Sequence, residues 1–121
     1  MSKKLKKNKT NRILFVPLIK ESFRWYSQGK KWEVRKLRGQ YTMRNIITGR
    51  RVELREGYTG SKKFGRIQEV IVVDDSEELF KRIDFKEIIP VAIDLEDAKK
   101  RIARFLNESH RIIAFRILLE N

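Results

Sequence analysis

A chain of 121 residues with 29 Lys and Arg against 16 Asp and Glu carries a formal charge of +13, and its 40% apolar content suffices for one folded domain with a real core. It contains no cysteine, which excludes disulfides and thiolate–metal sites and fits a reducing, cytoplasmic setting. The longest unbroken apolar runs, Val70 to Val73 among them, are strand-sized, so no membrane span is expected, and no secretory-type apolar stretch follows the basic N-terminus.

The first twelve residues hold six basic side chains (Lys3, Lys4, Lys6, Lys7, Lys9 and Arg12) and no acid. Without them 23 basic residues face 16 acidic ones, so the body is itself basic, at +7. Residues 1–11 read as a flexible basic arm and residues 12–121 as the domain. A thermophile-style surface rich in Lys, Arg and Glu explains many charges but not so one-sided a sign. A polyanion partner does, and nucleic acid is the commonest.

Along the chain, Arg12 to Val16 has the content of a first strand. Pro17 then opens a helix with Ile19, Phe23 and Tyr26 at helical spacing and Gly29 at its C-terminus. Lys31 to Leu37 alternates, with Trp32 and Val34 on one face and Lys31, Glu33 and Arg35 on the other. Gln40–Ile47 and Arg51–Arg55 read as a hairpin around Thr48, Gly49 and Arg50, and residues 57–63 as a loop. Arg66 to Val73 is a β-branched strand. Asp75 or Ser76 caps a short helix carrying Leu79, Phe80 and Ile83. Phe85 to Ile89 fits either helix or strand and ends at Pro90. Asp94 caps a further helix with Ala98, Ile102 and Phe105 on one face, and Arg111 to Leu118 closes the chain as a strand. About six short strands with helices between them imply an α+β fold, a small, mostly antiparallel β-barrel with covering helices.

The residues that carry chemistry centre on Lys30, Glu33 and Arg35. A Glu and an Arg two apart on one strand face either pair with each other or share a polar ligand, and an exposed surface ion pair is the ordinary alternative. Lys31 adds charge beside them. Trp25, Tyr26 and Trp32 surround this segment, and Tyr58 lies in the glycine-bearing loop. Aromatics among cations are what base stacking requires. Trp25 and Tyr58 are expected at the surface, Trp32 buried with Val34, and Phe15, Phe23 and Phe115 in the core. Arg50, Arg51, Arg55, Lys62 and Lys63 surround the hairpin and loop, where they either grip phosphate or are solvated loop charges. His110, the single histidine, precedes the last strand with no ligand set around it, so neither a metal nor a cofactor is expected. No Ser/His/Asp set and no phosphate-cradling glycine loop is present.

The order strand, helix (Leu18, Phe23, Tyr26), then Lys30-x-x-Glu33-x-Arg35 resembles the opening of the ASCH family of PUA-like domains. The resemblance continues through Gly49…Val52-Glu53-Leu54, Gly65-Arg66-Ile67, a helix beginning Ser76-Glu77-Glu78-Leu79 and the closing Ile112-Ile113-Ala114-Phe115-Arg116-Ile117, covering about residues 13–118. The family signature is Gly-x-Lys-x-x-Glu-x-Arg; here Gln28 takes the glycine position and the glycine falls one later, at Gly29. The resemblance implies a PUA-like barrel with a cleft lined by this motif beneath the first helix, and RNA as the ligand class. One subfamily deacylates N4-acetylcytidine with a Lys, a Thr and a more distant Glu. Lys30 corresponds to the Lys and Glu87 is the candidate for the distant Glu. Glu33 stands where that subfamily has its Thr, and a carboxylate offers no hydroxyl to activate. The expected function is therefore RNA or nucleotide binding by a monomer. The alternatives are a small hydrolase, an amidohydrolase or nuclease working through Lys30 and Glu33, and a protein-binding adaptor with a basic face.

Overall fold

The computed structural model describes residues 12–106 and 110–121; the basic arm, residues 1–11, lies outside them. Five strands, β1 (Leu14–Leu18), β2 (Trp32–Lys36), β3 (Arg51–Glu56), β4 (Lys62–Val73) and β5 (Ile112–Leu119), form one sheet in the order β1-β3-β4-β5-β2. Three helices, α1 (Lys20–Trp25), α2 (Ser76–Arg82) and α3 (Leu95–Ala103), complete an α+β architecture. The β1–β3 pair is parallel and the other three pairs are antiparallel, so the sheet is mixed and has five strands where about six were expected.

The missing strand is the expected one over residues 40–47. The chain there runs through successive turns, with Gly39 in the left-handed region (φ 62°) and the Asn45 amide donating to the Thr42 hydroxyl. Local polar side chains satisfy this backbone in place of a ladder. Ile46 alone goes deep, plugging the barrel. The true hairpin joins β3 to β4, pairing Leu54 with Lys63 and Arg55 with Lys62. Lys62 and Lys63 are thus strand residues, and β4 starts four residues earlier than expected.

Pro17 also departs from expectation: it lies inside β1, and helix α1 starts at Lys20. An edge strand tolerates proline because its outward side needs no ladder donor. Leu14, Val16 and Leu18 point inward, and that alternation turns Phe15 to the outer face, half-buried, against Tyr58 (ring centroids 6.0 Å apart). A single tight turn, Tyr26–Gln28, extends α1 and ends at Gly29, whose φ of 112° suits glycine.

Because β5 alternates, the sheet is packed on both faces. Ile113, Phe115 and Ile117 meet Leu14, Val16, Val52 and Leu54 inside the curl. Ile112 and Ala114 meet Leu79, Ile88, Ala98 and Ile102 under α2 and α3. A bulge between Ile67 and Glu69 keeps Ile67 and Val70 on the same interior face although they are three residues apart. Gly65 sits where β4 crosses β5 so closely that a Cβ would lie 2.7 Å from the Leu118 carbonyl oxygen. Asp75 and Asp94 cap α2 and α3 by accepting from the amides of Glu78 and Asp97.

The sheet curls into a half-barrel, and side chains bridge its two edge strands where no backbone ladder does. Arg35 Nη2 on β2 donates to the Pro17 carbonyl of β1 at 2.9 Å, and Gln40 Nε2 donates to the Phe15 carbonyl at 2.8 Å. The opening left between the edges is the cleft.

Candidate functional site

The cleft encloses about 680 Å³, in the range of small-ligand sites. Pro17, Ser22 and Trp25 line one wall, Lys30, Glu33, Arg35, Lys36 and Arg38 another. Tyr41, Ile88, Ile102 and Phe105 complete it. The expected convergence of Lys30, Glu33 and Arg35 on one concavity is therefore present, although their burial is greater than an exposed strand face implies. Lys30 is 7% and Glu33 4% exposed.

Glu33 is the hub. Tyr26 donates its hydroxyl to Oε1 at 2.6 Å, and Arg35 donates through Nε (2.9 Å) and Nη2 (2.8 Å) to Oε2. The Lys30 ammonium stands 4.0 Å from Oε1, donates to the Ile88 carbonyl at 2.9 Å, and lies over the rings of Trp25 and Tyr26 at 5.7 and 5.6 Å. Arg35 also donates to the Tyr41 hydroxyl at 2.8 Å, with its guanidinium 4.9 Å from that ring's centroid. Tyr41 in turn stacks on Phe115.

These interactions fix the protonation states. Burial pushes the Glu33 carboxyl up, but Arg35, then Lys30 and the donated hydrogen bonds outweigh it and hold the group below its ordinary value. Burial lowers Lys30, which Glu33 only partly offsets. Arg35 loses solvation too, yet Glu33 and Tyr41 raise it. Tyr26 is pushed far up, by burial first and then by the Glu33 charge, so its hydroxyl remains a donor.

The other expected site residues fall elsewhere. Trp25, expected at the surface, is 4% exposed because α1 turns it under toward Ile88 and Ile102; one part of it still reaches the cleft wall. Lys31 points away and meets Glu87 at 3.9 Å, and Trp32 donates to the same Glu87. Glu87 is thus outside the cleft lining. Tyr58 is 73% exposed on the hairpin turn beside Arg55, Lys62 and Lys63, while Arg51 lies at the far end of β3 opposite Arg66, with Arg50 just before it. Arg50 donates to the carbonyls of Arg12 and Asn45, Arg51 pairs with Glu120, and Arg55 with Glu53 and the Tyr58 carbonyl. Sequence reasoning missed Ser22, Lys36, Arg38 and Tyr41. The signal for two of them was the basic density of residues 30–38, which continues past Arg35. Among the described residues no group of His, Cys, Asp or Glu side chains is placed to hold a metal ion, and no helix is long and apolar enough to cross a membrane.

No family model matches the sequence, and no curated protein matches it significantly. Solved structures do. The hypothetical protein PH0355 superposes with a TM-score of 0.74 at 16% identity, over 90% of this chain and all of its own. PF0455 from Pyrococcus furiosus gives 0.68 at 18%, over 89% and 97%. The ASCH protein from Zymomonas mobilis gives 0.57 at 14%, over 86% of this chain and 65% of its own. The chain has the PUA-like fold of ASCH-domain structures.

Proposed function

We propose that this chain is an RNA- or nucleotide-binding domain that takes one unstacked base, or a free nucleotide, into the cleft between β1 and β2. The observation that carries the reading is the buried Lys30–Glu33–Arg35 cluster on the wall of that cleft, beside the rim cations Lys36 and Arg38. Ionisable groups shifted by burial and a specific charge partner inside a concavity are the features by which functional sites are tuned. The +13 charge supplies the attraction for a polyanion, and the likeness in fold to ASCH structures favours RNA over DNA.

Binding is favoured over hydrolysis by the state in which the groups a reaction needs are held. Glu33 is held ionised below its ordinary value by Arg35 and Lys30, which makes it a weak base, and its oxygens already orient Arg35 and Tyr26. The Lys30 ammonium, anchored on the Ile88 carbonyl, is placed to donate to a ligand.

The test is fluorescence anisotropy of the full chain with single-stranded RNA over a range of salt. Affinity should fall steadily with salt, and Lys36→Ala/Arg38→Ala should flatten the log–log slope by about 0.7 for each phosphate left unneutralised. Absence of salt-dependent binding, or a double variant that behaves as the parent, would overturn the reading and favour an adaptor role.

A further inference from the structure

The hydrogen-bonding groups of the cleft are unequally free. The acceptors nearest its cations are engaged: both Glu33 oxygens bind donors, and the carbonyls of Ile88 and Pro17 accept from Lys30 and Arg35. Its donors are in surplus. Arg35 has five N–H groups. It directs Nε and Nη2 to Glu33, Nη2 also to Pro17 and Nη1 to Tyr41, which leaves a second Nη1 hydrogen. Lys30 donates to Ile88 alone at hydrogen-bonding distance. Lys36 and Arg38 line the cleft without a side-chain hydrogen bond or ion pair among the described residues. Four cations, Lys30, Arg35, Lys36 and Arg38, face one carboxylate.

Resting on the nucleotide-binding reading above, we propose that the cleft selects nucleotides by the keto oxygen of the base. Lys30 and Arg35 donate to that oxygen, and Lys36 and Arg38 receive the phosphate. Uracil and hypoxanthine present such an oxygen where cytosine and adenine carry an exocyclic amino group. An amino group in that position would set two donors face to face, with the Glu33 oxygens beside them already holding Arg35 and Tyr26. The ring N–H beside the keto oxygen meets a hydroxyl, Ser22 or Tyr41, and a hydroxyl both donates and accepts. Glu33 does not read the base in this arrangement. It is a positioning residue that holds Arg35 and Lys30 in aim.

Calorimetric titration of the full chain with the 5′-monophosphates of uridine, cytidine, inosine and adenosine tests this. The keto member of each pair, uridine over cytidine and inosine over adenosine, should bind more tightly by about tenfold. Inorganic phosphate should bind more weakly than any of the four. Lys36→Ala/Arg38→Ala should weaken all four by a similar factor while keeping the ratio within each pair. Equal affinities within the pairs, or preference for the amino members, would overturn the selectivity and leave nucleotide binding standing. Binding of RNA with no binding of any mononucleotide would overturn it as well, since the cleft would then not take a free base. Failure of both RNA and mononucleotides would remove the underlying reading too.

Discussion

Two basic regions of this molecule are built from the same residue types and behave differently. On the β3–β4 hairpin Arg51 grips Glu120 through two 2.8 Å bonds, Arg55 pairs with Glu53, and Arg66 donates to the Gly49 carbonyl. Lys62 and Lys63 lie over the rings of Phe64 and Phe23. In the cleft a single carboxylate serves one buried and one half-buried cation, and two more at the rim have no side-chain partner among the described residues. Solvent makes the difference. The Arg51–Glu120 pair keeps much of its contact with water and contributes little, whereas Lys30 and Glu33 in the cleft have left water and depend on its internal geometry. Charge density alone weights the two regions equally; pairing and burial separate them.

The largest expected effect breaks the comparison directly. Glu33→Ala leaves the buried Lys30 and the half-buried Arg35 without their counter-charge and should cost about 3–5 kcal/mol in urea denaturation. Arg51→Ala, at the exposed pair, should leave the unfolding midpoint where it is. Similar losses from both would show that the cleft cluster is no more desolvated than the hairpin.

A pH titration sharpens the same contrast. Glu33 titrates in the folded chain below its ordinary value of 4.5, so the unfolded chain takes up the proton first as pH falls. The stabilisation is complete above that value and is lost as pH drops through the lowered folded-state value. Unfolding free energies of the parent should therefore fall below about pH 4.5, and those of Glu33→Gln should fall less steeply over that interval. Parallel curves would remove Glu33 from the acid response.

The Glu33–Arg35 pair was legible because i, i+2 spacing on a strand fixes a shared face, whereas Lys30, which precedes β2, joined it only through the resemblance to the ASCH motif. The covering helices were legible from Asp75 and Asp94, since a cap is a local signal. The side-chain bridging of the two sheet edges was not. The Arg35–Pro17 bond joins residues 18 apart across the two sheet edges, and nothing in the local pattern of either residue announces it. The burial of Trp25 was hidden for the same reason: it depends on Ile88 and Ile102, which the fold brings up from behind. Tyr41 was misread because a polar, turn-rich segment with scattered apolar residues imitates a strand.

Smaller in effect is removal of the N-terminal arm. Residues 2–11 contain five lysines and no aromatic side chain, so they offer charge without a stacking surface. Deleting them should reduce the salt slope of RNA binding by up to about 0.7 per lysine that meets a phosphate, with the preference among RNA sequences unchanged. An unchanged slope would make the arm a bystander. Altered sequence preference would move base reading away from the cleft.

The smallest expected effect is zero turnover of N4-acetylcytidine. Deacylation by the route of the Lys–Thr–Glu subfamily needs a hydroxyl at the position of Glu33 and a lysine free to activate it. Glu33 is held ionised by Arg35 and Lys30, and its oxygens accept from Tyr26 and Arg35. Lys30, although lowered by burial, donates to the Ile88 carbonyl. Glu87, the candidate for the distant carboxylate, faces Lys31 and Trp32 instead of the cleft. The hydroxyls that do reach the cleft, Ser22 and Tyr41, have no base beside them among these bonds, and Tyr41 titrates above its ordinary value, chiefly through burial. Incubating the purified chain with N4-acetylcytidine and following cytidine by chromatography should give no release above the protein-free control. Release that disappears in Lys30→Ala while RNA binding survives would turn the cleft from a binding pocket into an active site, and the contrast with the hairpin would become one of chemistry.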